Sequence, residues 1–582
     1  MRKRRFLNGK LRAGIALGTV AIAAAAAPMV FAGSHDLHGH GKGLEHVLLI
    51  SVDGMHALDY LNCVSGGYCP NLAALGTTGV NYLNTSTSKP SDSFPGLMAL
   101  MTGGSPRTMG VNYDVAYDRA LNPPTITTGN GLPGGSCTAG NPPSGTTTEY
   151  DEGIEFNQNL LTGGAASGDG GIAGIDPMKL VRDQNCNPVY PWNFVRDNTI
   201  FGVIHGAGGY TAWSDKHASY SSVGGPTGTS VDSNVDDYYS PEINSDSANF
   251  ASEAPTQLVI PACAKSGAGY LPDQLAAAAD DDYTGSFQNI QCYDGLKVSA
   301  IVNEIDGLNH DGTASAPVPN IFGMNFQAVS IGQKLIYQHG AVATGYSESG
   351  GYVDSIGTPS ASLKSEIEFV DSSIGQMVAA LKKQNLLDST LVIITAKHGQ
   401  SPVDTSRYVR NGSPNDPVSI LSTFLAPSEN SAIGPTEDDV ALLWLANSAD
   451  TAAAVAALEA ASPVTDNVAG IGEIFSGPSI GLYYNAGDSR APDILITPNI
   501  GVTYSNSKKK LAEHGGFAHD DVNVMMLVSN PQFHSATITA PVETAQVAPT
   551  VLEAIGLDPR DLQAVQLEHT RVLPGLGFGN ND

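Results

Sequence analysis

Two short runs, VLLISV (Val47 to Val52) and LVIIT (Leu391 to Thr395), are almost continuously apolar, with no polar alternation. A strand with one wet face alternates in polarity. A run like these is buried on both faces, as parallel strands are when helices cover the sheet above and below. Each run ends in chemistry: Asp53-Gly54 after the first, Ala396-Lys397-His398-Gly399 after the second. Strand tips of this kind are where open α/β sheets place their sites. Around them, Ile200 to Ile204, Tyr210 to Trp213, Ile321 to Ile331, Val440 to Ala446, Asp493 to Ile496 and Val524 to Val528 also read as strands. Helical spacing marks Leu97 to Thr102, Lys297 to Ile305, Ser362 to Gln384 and Ala452 to Ala461. The alternation predicts an α/β fold, a mainly parallel central sheet with helices on both faces.

The N-terminus is excluded from that fold. Six basic residues lie in positions 1–12, an alanine-rich apolar run ends at Pro28, and Val30-Phe31-Ala32 precedes Gly33. This is the pattern of a secretory signal over 1–32, followed by a polar lead-in over 33–44. The main domain then spans 45–582, and the protein is expected to be exported to a periplasmic or extracellular space, free of the membrane once the signal is cleaved. Without the signal, 23 basic residues face 57 acidic ones, a formal balance of −34. So acidic a chain is not expected to bind nucleic-acid polymers, and any anion site must be a local island of positive charge. Six cysteines fit an oxidising compartment. Cys63 with Cys69, Cys137 with Cys186, and Cys263 with Cys292 are the simplest of fifteen pairings. The glycine- and proline-rich stretch within 115–300 reads as a loop-rich insertion tied by disulfides.

Four positions at these tips and turns make a constellation. Asp53 ends the first strand and His398 the second. Ser93 stands in a proline-bracketed turn, KPSDSFPG, at the start of a helix, where backbone N–H groups and the helix dipole favour an anion. His514 lies in the glycine-rich EHGGF. A carboxylate, a hydroxyl and two imidazoles in this order suit a serine activated by a metal ion.

From LLISVDG through KPSDSFPGLMALMTGGSPRTMGV to LVIITAKHGQS and EHGGF, the chain resembles the alkaline phosphatase superfamily, and within it the type I phosphodiesterase/nucleotide pyrophosphatase branch. The resemblance implies Ser93 as nucleophile and Asp53, Ser93, His398 and His514 as metal ligands. It implies a divalent cofactor, zinc, with one ion rather than two, because the motif departs from the family in three places. Lys397 replaces the aspartate of Asp-His-Gly. Val329 to Gln333 carries neither ligand of the family's Asp-x-x-Gly-His pair. Gly96 replaces a substrate-binding asparagine. GYTAWSDKH (Gly209 to His217) resembles a sulfatase-branch stretch whose lysine and histidine hold the anion, which places Lys216 and His217 at the substrate and makes Lys397 and Lys216 surrogate cations.

The expected function is hydrolysis of small phosphoesters, diesters or nucleotide pyrophosphates, through a covalent phospho-enzyme intermediate. A single-metal phosphatase or sulfatase-like hydrolase is one alternative; a non-catalytic organic-phosphate-binding protein is the other. Asp306 with His310 has ligand spacing but lies ahead of the strand where that pair belongs. His56 has a minor chance of approaching the site, and Asp371 reads as a packing residue.

Overall fold

The computed structural model describes residues 43–578 apart from 151, 167–169, 228–233, 248–249, 255–257, 261–262, 264–282, 337–348, 427–435, 463–467, 486 and 508–509. The expected signal and all but the last two residues of the lead-in lie outside the described residues. No described helix is long and apolar enough to cross a membrane.

Twelve strands organise the fold. They are β1 (His46–Val52), β2 (Gly79–Tyr82), β3 (Ala212–Ser214), β4 (Asp237–Tyr239), β5 (Ile321–Phe326), β6 (Thr390–Thr395), β7 (Thr436–Glu437), β8 (Ala441–Leu443), β9 (Ile471–Ser476), β10 (Ile494–Pro498), β11 (Leu527–Ser529) and β12 (Ala536–Ile538). Eight form the central sheet in the order β12-β2-β11-β6-β1-β5-β3-β4. All pairs are parallel except those made by β11. The continuous apolar run of β1 is explained by its neighbours. Leu48, Ile50 and Val52 enter one core, and Val47 and Leu49 enter the other. Each such side chain contributes about 1.5–3 kcal/mol by leaving water.

Among the helices that pack against these strands or open at their tips are α1 (Ser93–Thr102), α2 (Ile200–Gly206), α3 (Phe287–Ile305), α4 (Ala328–Lys334), α5 (Ala361–Lys383) and α6 (Thr451–Ala461). Helices α3 and α5 pack in the first core, α1 and α2 in the second. Asp371 on α5 fixes packing as expected, accepting from Asn71 N at 3.2 Å and Leu72 N at 2.7 Å. The three disulfides pair Cys63–Cys69, Cys137–Cys186 and Cys263–Cys292. Within 115–300, β3, β4, α2 and α3 join the main layers, and the other described residues form short strands, single helical turns and loops.

Three expectations are corrected. Ile200 to Ile204 is helical, because Thr199 caps it by accepting from Gly202 N at 3.2 Å, and so short an apolar run carries no period of its own. The strand expected over Ile321 to Ile331 stops at Phe326. There Asp294 of α3 accepts from Gln327 N and Ala328 N at 2.8 and 2.9 Å and starts α4, a cap supplied from far away in sequence. Finally, β7 to β10 do not extend the central sheet. They form a separate antiparallel sheet, β7-β8-β10-β9, which shares a core with α6.

Candidate active site

The tips of β1, β5 and β6 are tied together by the backbone: Asp53 N donates to Phe326 O and Gly54 N to His398 O, both at 3.0 Å. Gly54 has φ +80°, and a Cβ there would lie 2.4 Å from Gln333 Oε1, so glycine is required at this turn. Asp53 is thereby held in the floor of the site with its carboxylate fully buried.

That carboxylate is already well supplied. Asn325 Nδ2 donates to Oδ1 at 2.7 Å and Gln327 Nε2 to Oδ2 at 2.6 Å. Lys216 Nζ lies 3.8 Å and His398 Nε2 3.5 Å from Oδ2. Burial pushes the carboxyl up, but Lys397, His398 and Lys216 outweigh it and hold Asp53 well below the usual carboxylate range.

Ser93 is the first residue of α1. Asp92 caps the helix, its Oδ2 accepting from Phe94 N at 3.2 Å and from Asp114 N at 3.0 Å. Lys216 Nζ donates to Ser93 Oγ at 3.0 Å. One ammonium therefore touches both the hydroxyl and the neighbourhood of Asp53. Burial works against its charge, yet Asp53, Asp215, Asp114 and Asp92 raise its pKa above the ordinary lysine value.

Lys397 does something different. Its Nζ lies 2.9 and 3.1 Å from the two oxygens of Asp215, with both side chains wholly buried, and 4.2 Å from the centroid of the Tyr220 ring. Asp215 also accepts from Trp213 Nε1 at 3.0 Å. Burial brings Lys397 below the ordinary lysine value against the pull of Asp215 and Asp53. The structure thus corrects the expectation that Lys397 faces the anion: its donors are spent on Asp215, and of the two lysines it is Lys216 that is aimed at Ser93. Gly96 is placed against the backbone of Lys397, where an added Cβ would sit 2.1 Å from the Lys397 carbonyl oxygen. The close approach of the two backbones leaves no room for a side chain at this position.

The two imidazoles stack with centroids 4.0 Å apart. His398 Nδ1 faces Gly399 O at 2.8 Å, so Nδ1 carries the proton and Nε2 is an acceptor without a hydrogen-bond partner. His514 Nδ1 also lacks a partner, 3.7 Å from Asp92 Oδ1, which is itself unpartnered. Burial keeps both rings neutral, pulling His398 below and His514 well below the ordinary histidine value.

These donors do not fit the expected ion. They stand in two pairs, Asp53 with His398 and Asp92 with His514. Both Asp53 oxygens already accept from amides, and Ser93 Oγ accepts from an ammonium. Gln333, at the end of the stretch that lacks the family's ligand pair, donates to Gly54 O at 2.8 Å. Side-chain amides and a lysine thus surround Asp53 where the resemblance implies cations. Among the described residues, the trio of carboxylate and imidazole atoms lying within 4.8 Å of one another is elsewhere, at Glu155, His217 and Glu242, a group able to hold a metal.

His217 is accordingly turned away from the role expected of it. Its Nδ1 lies 2.9 and 3.0 Å from the Glu242 carboxylate oxygens, and burial drops its pKa to about 4. A ring against carboxylates does not hold an anion. Of the lesser candidates, Asp306 accepts from Lys383 and Gln384, and His310 pairs with Asp237. His56 joins Asp59, Tyr352 and Gln400 O in a structural network. Asn325 and Gln327 are functional neighbours of Asp53 that sequence reasoning misses, since no motif marks them. Asp92 and Asp215 are visible beside Ser93 and Lys216, but nothing local shows what an aspartate will face.

The model of the type I phosphodiesterase/nucleotide pyrophosphatase family matches residues 47–144 and 229–520. No curated protein matches. Among solved structures, an inactive variant of murine ectonucleotide pyrophosphatase/phosphodiesterase 5 in complex with AMP is 14% identical, with a TM-score of 0.48 over 88% of this chain and 96% of that one. The human protein of the same name is 13% identical, with a TM-score of 0.46 over 91% and 96%. Matched by the family model over well more than half its length, the chain belongs to the type I phosphodiesterase/nucleotide pyrophosphatase family.

Proposed function

We propose that this protein is an exported hydrolase of small phosphoesters, with diesters and nucleotide pyrophosphates as the preferred class, in which Ser93 is the nucleophile and Lys216 the cation that serves it. Family membership supports the reaction class. The observation that carries the residue assignment is the Lys216 ammonium, 3.0 Å from Ser93 Oγ and 3.8 Å from Asp53, at the N-terminus of α1. Three disulfides support an oxidising compartment.

In this reading Ser93 Oγ attacks phosphorus, an Oγ–P bond forms, and the bond to the leaving oxygen breaks in line with it. Because Lys216 donates to Oγ, the hydroxyl proton leaves in another direction. The unpartnered Nε2 of His398 receives it, directly or through a water, and the imidazolium so formed faces the Asp53 carboxylate at 3.5 Å. Lys216, helped by the dipole at the N-terminus of α1, stabilises the charge on the alkoxide and the equatorial oxygens. The leaving alcohol or phosphate departs on the far side of phosphorus and takes a proton from solvent, while His398 keeps the one from Ser93. Water then attacks phosphorus from the vacated side and gives a proton to solvent, the Oγ–P bond breaks, and His398 returns its proton to Ser93 Oγ. Since zinc at Asp53, Ser93, His398 and His514 lacks a converging donor set, no step is assigned to it.

The test is hydrolysis of aryl phosphodiester, phosphomonoester and sulfate ester by the purified protein, with Ser93→Ala as the blank. Diester cleavage that disappears in the variant supports the reading. Faster cleavage of the sulfate ester would reassign the substrate to the sulfatase-like class. No ester cleaved above the blank would overturn catalysis in favour of an organic-phosphate-binding scaffold.

A further inference from the structure

The trio Glu155, His217 and Glu242 is buried, with 1%, 4% and 1% of each residue exposed. One ligand atom from each lies within 4.8 Å of the other two. A buried carboxylate is ordinarily matched by a lysine, an arginine or several N–H donors, because leaving it bare costs several kcal/mol. Glu155 is bare: neither carboxylate oxygen has a hydrogen-bond partner among the described residues. Lys179, whose ammonium reaches this residue, spends its Nζ on the Glu155 main-chain oxygen instead. Glu242 receives Asn244 N at 2.9 Å and faces His217, but among the described residues no lysine or arginine forms an ion pair with either glutamate.

We propose that Glu155, His217 and Glu242 bind one divalent transition-metal ion, separate from the Ser93 centre. One imidazole nitrogen with two carboxylates is a mixed donor set of the kind that suits Zn²⁺ or Mn²⁺ better than the all-oxygen preference of Ca²⁺ or Mg²⁺. On binding, the proton shared between His217 Nδ1 and Glu242 and the protons that burial holds on the two carboxyls, both pushed up to about 8, are released, so that the imidazole lone pair and two carboxylates face the ion where no side-chain cation does.

The position gives the ion a structural role. Its ligands come from three segments far apart in sequence. His217 directly follows Lys216, and Ile243, directly after Glu242, donates its N–H to Lys216 O at 3.1 Å. A metal joining these segments fixes the loop from which Lys216 reaches Ser93. That last link rests on the function proposed above; metal binding itself does not.

The experiment uses the full secreted chain. Metal content is measured by mass spectrometry, and melting temperature is followed after chelator treatment and readdition of Zn²⁺, Mn²⁺, Ca²⁺ or Mg²⁺ in separate samples. We expect one equivalent of zinc or manganese per chain, a fall in Tm on chelation, and recovery with Zn²⁺ or Mn²⁺ only. The Glu155→Gln/Glu242→Gln variant is expected to lose the ion and to melt at a temperature insensitive to metal. Because that variant replaces buried groups, the wild-type chelation series decides the matter if it fails to fold. No bound ion and no Tm response to either metal would overturn the site. So would a full equivalent retained by the double variant, which would move the ion elsewhere, or recovery by Ca²⁺ or Mg²⁺ alone. Loss of phosphodiester hydrolysis by Ser93→Ala is read separately, so failure of the catalytic reading leaves the metal result interpretable.

Discussion

Removing the Lys397 charge should cost stability before it costs chemistry. In Lys397→Met the Asp215 carboxylate keeps only Trp213 Nε1 and Lys216 N as close donors and loses the ammonium at 2.9 Å. Breaking a fully buried pair from one side costs about 3–5 kcal/mol, since the remaining charge stays out of water. An unfolding entropy of about 2.1 cal/mol/K per residue, over the roughly 470 described residues, gives about 1.0 kcal/mol/K. Lys397→Met should therefore lower Tm by about 3–5 °C if the protein melts as one unit. Adding Asp215→Asn, which removes the stranded charge and keeps an acceptor for Trp213, should restore most of that loss. Calorimetry on the two single variants and the double one reads all three values, and diester hydrolysis on the same samples reads chemistry. The reasoning is refuted if Lys397→Met melts within about 1 °C of wild type yet abolishes hydrolysis, for then its charge acts on substrate rather than on Asp215.

Lys216→Met should fold but lose about 10²- to 10³-fold in kcat on the diester, the usual cost of deleting one preorganised stabiliser of developing charge; steady-state kinetics decides it. Gly96→Ala should destabilise by about 1–3 kcal/mol, because its Cβ would meet the Lys397 carbonyl and α1 must shift to make room; a melting curve shows it. Burial holds the Asp438 carboxyl at about 8 and that of Asp521 at about 7. The folded state keeps these protons after the unfolded chain has lost them, so their contribution is full at acid pH below the usual carboxylate value and is lost as pH rises through 7 to 8. Stability measured across that window should fall, and fall less steeply in Asp438→Asn.

How much of this the sequence discloses depends on the range of the determining contact. The strands β1 and β6, the helix α5 and the N-terminus of α1 are written in local apolar runs and caps, and they are legible. The antiparallel sheet of β7 to β10 is not, since with β9 unmarked in the sequence β8, α6 and β10 look like one more strand–helix–strand unit until pairing is known. Lys397 is conspicuous as a departure from its family's motif, yet which anion it faces is decided by Asp215, 182 residues away. Asn325 and Gln327 carry no signal as partners of a carboxylate. Glu155 and Glu242 are ordinary glutamates in a loop-rich region, and only the fold brings them to His217.

Identification of the covalent intermediate tests the central claim most directly. Protein quenched in acid during turnover of a phosphodiester, then digested and mapped by mass spectrometry, should carry the phosphoryl or nucleotidyl group on Ser93, at higher occupancy in wild type than in Lys216→Met. Steady turnover with no label on Ser93, or turnover undiminished in Ser93→Ala, would contradict the assignment of this serine and of the lysine that touches it.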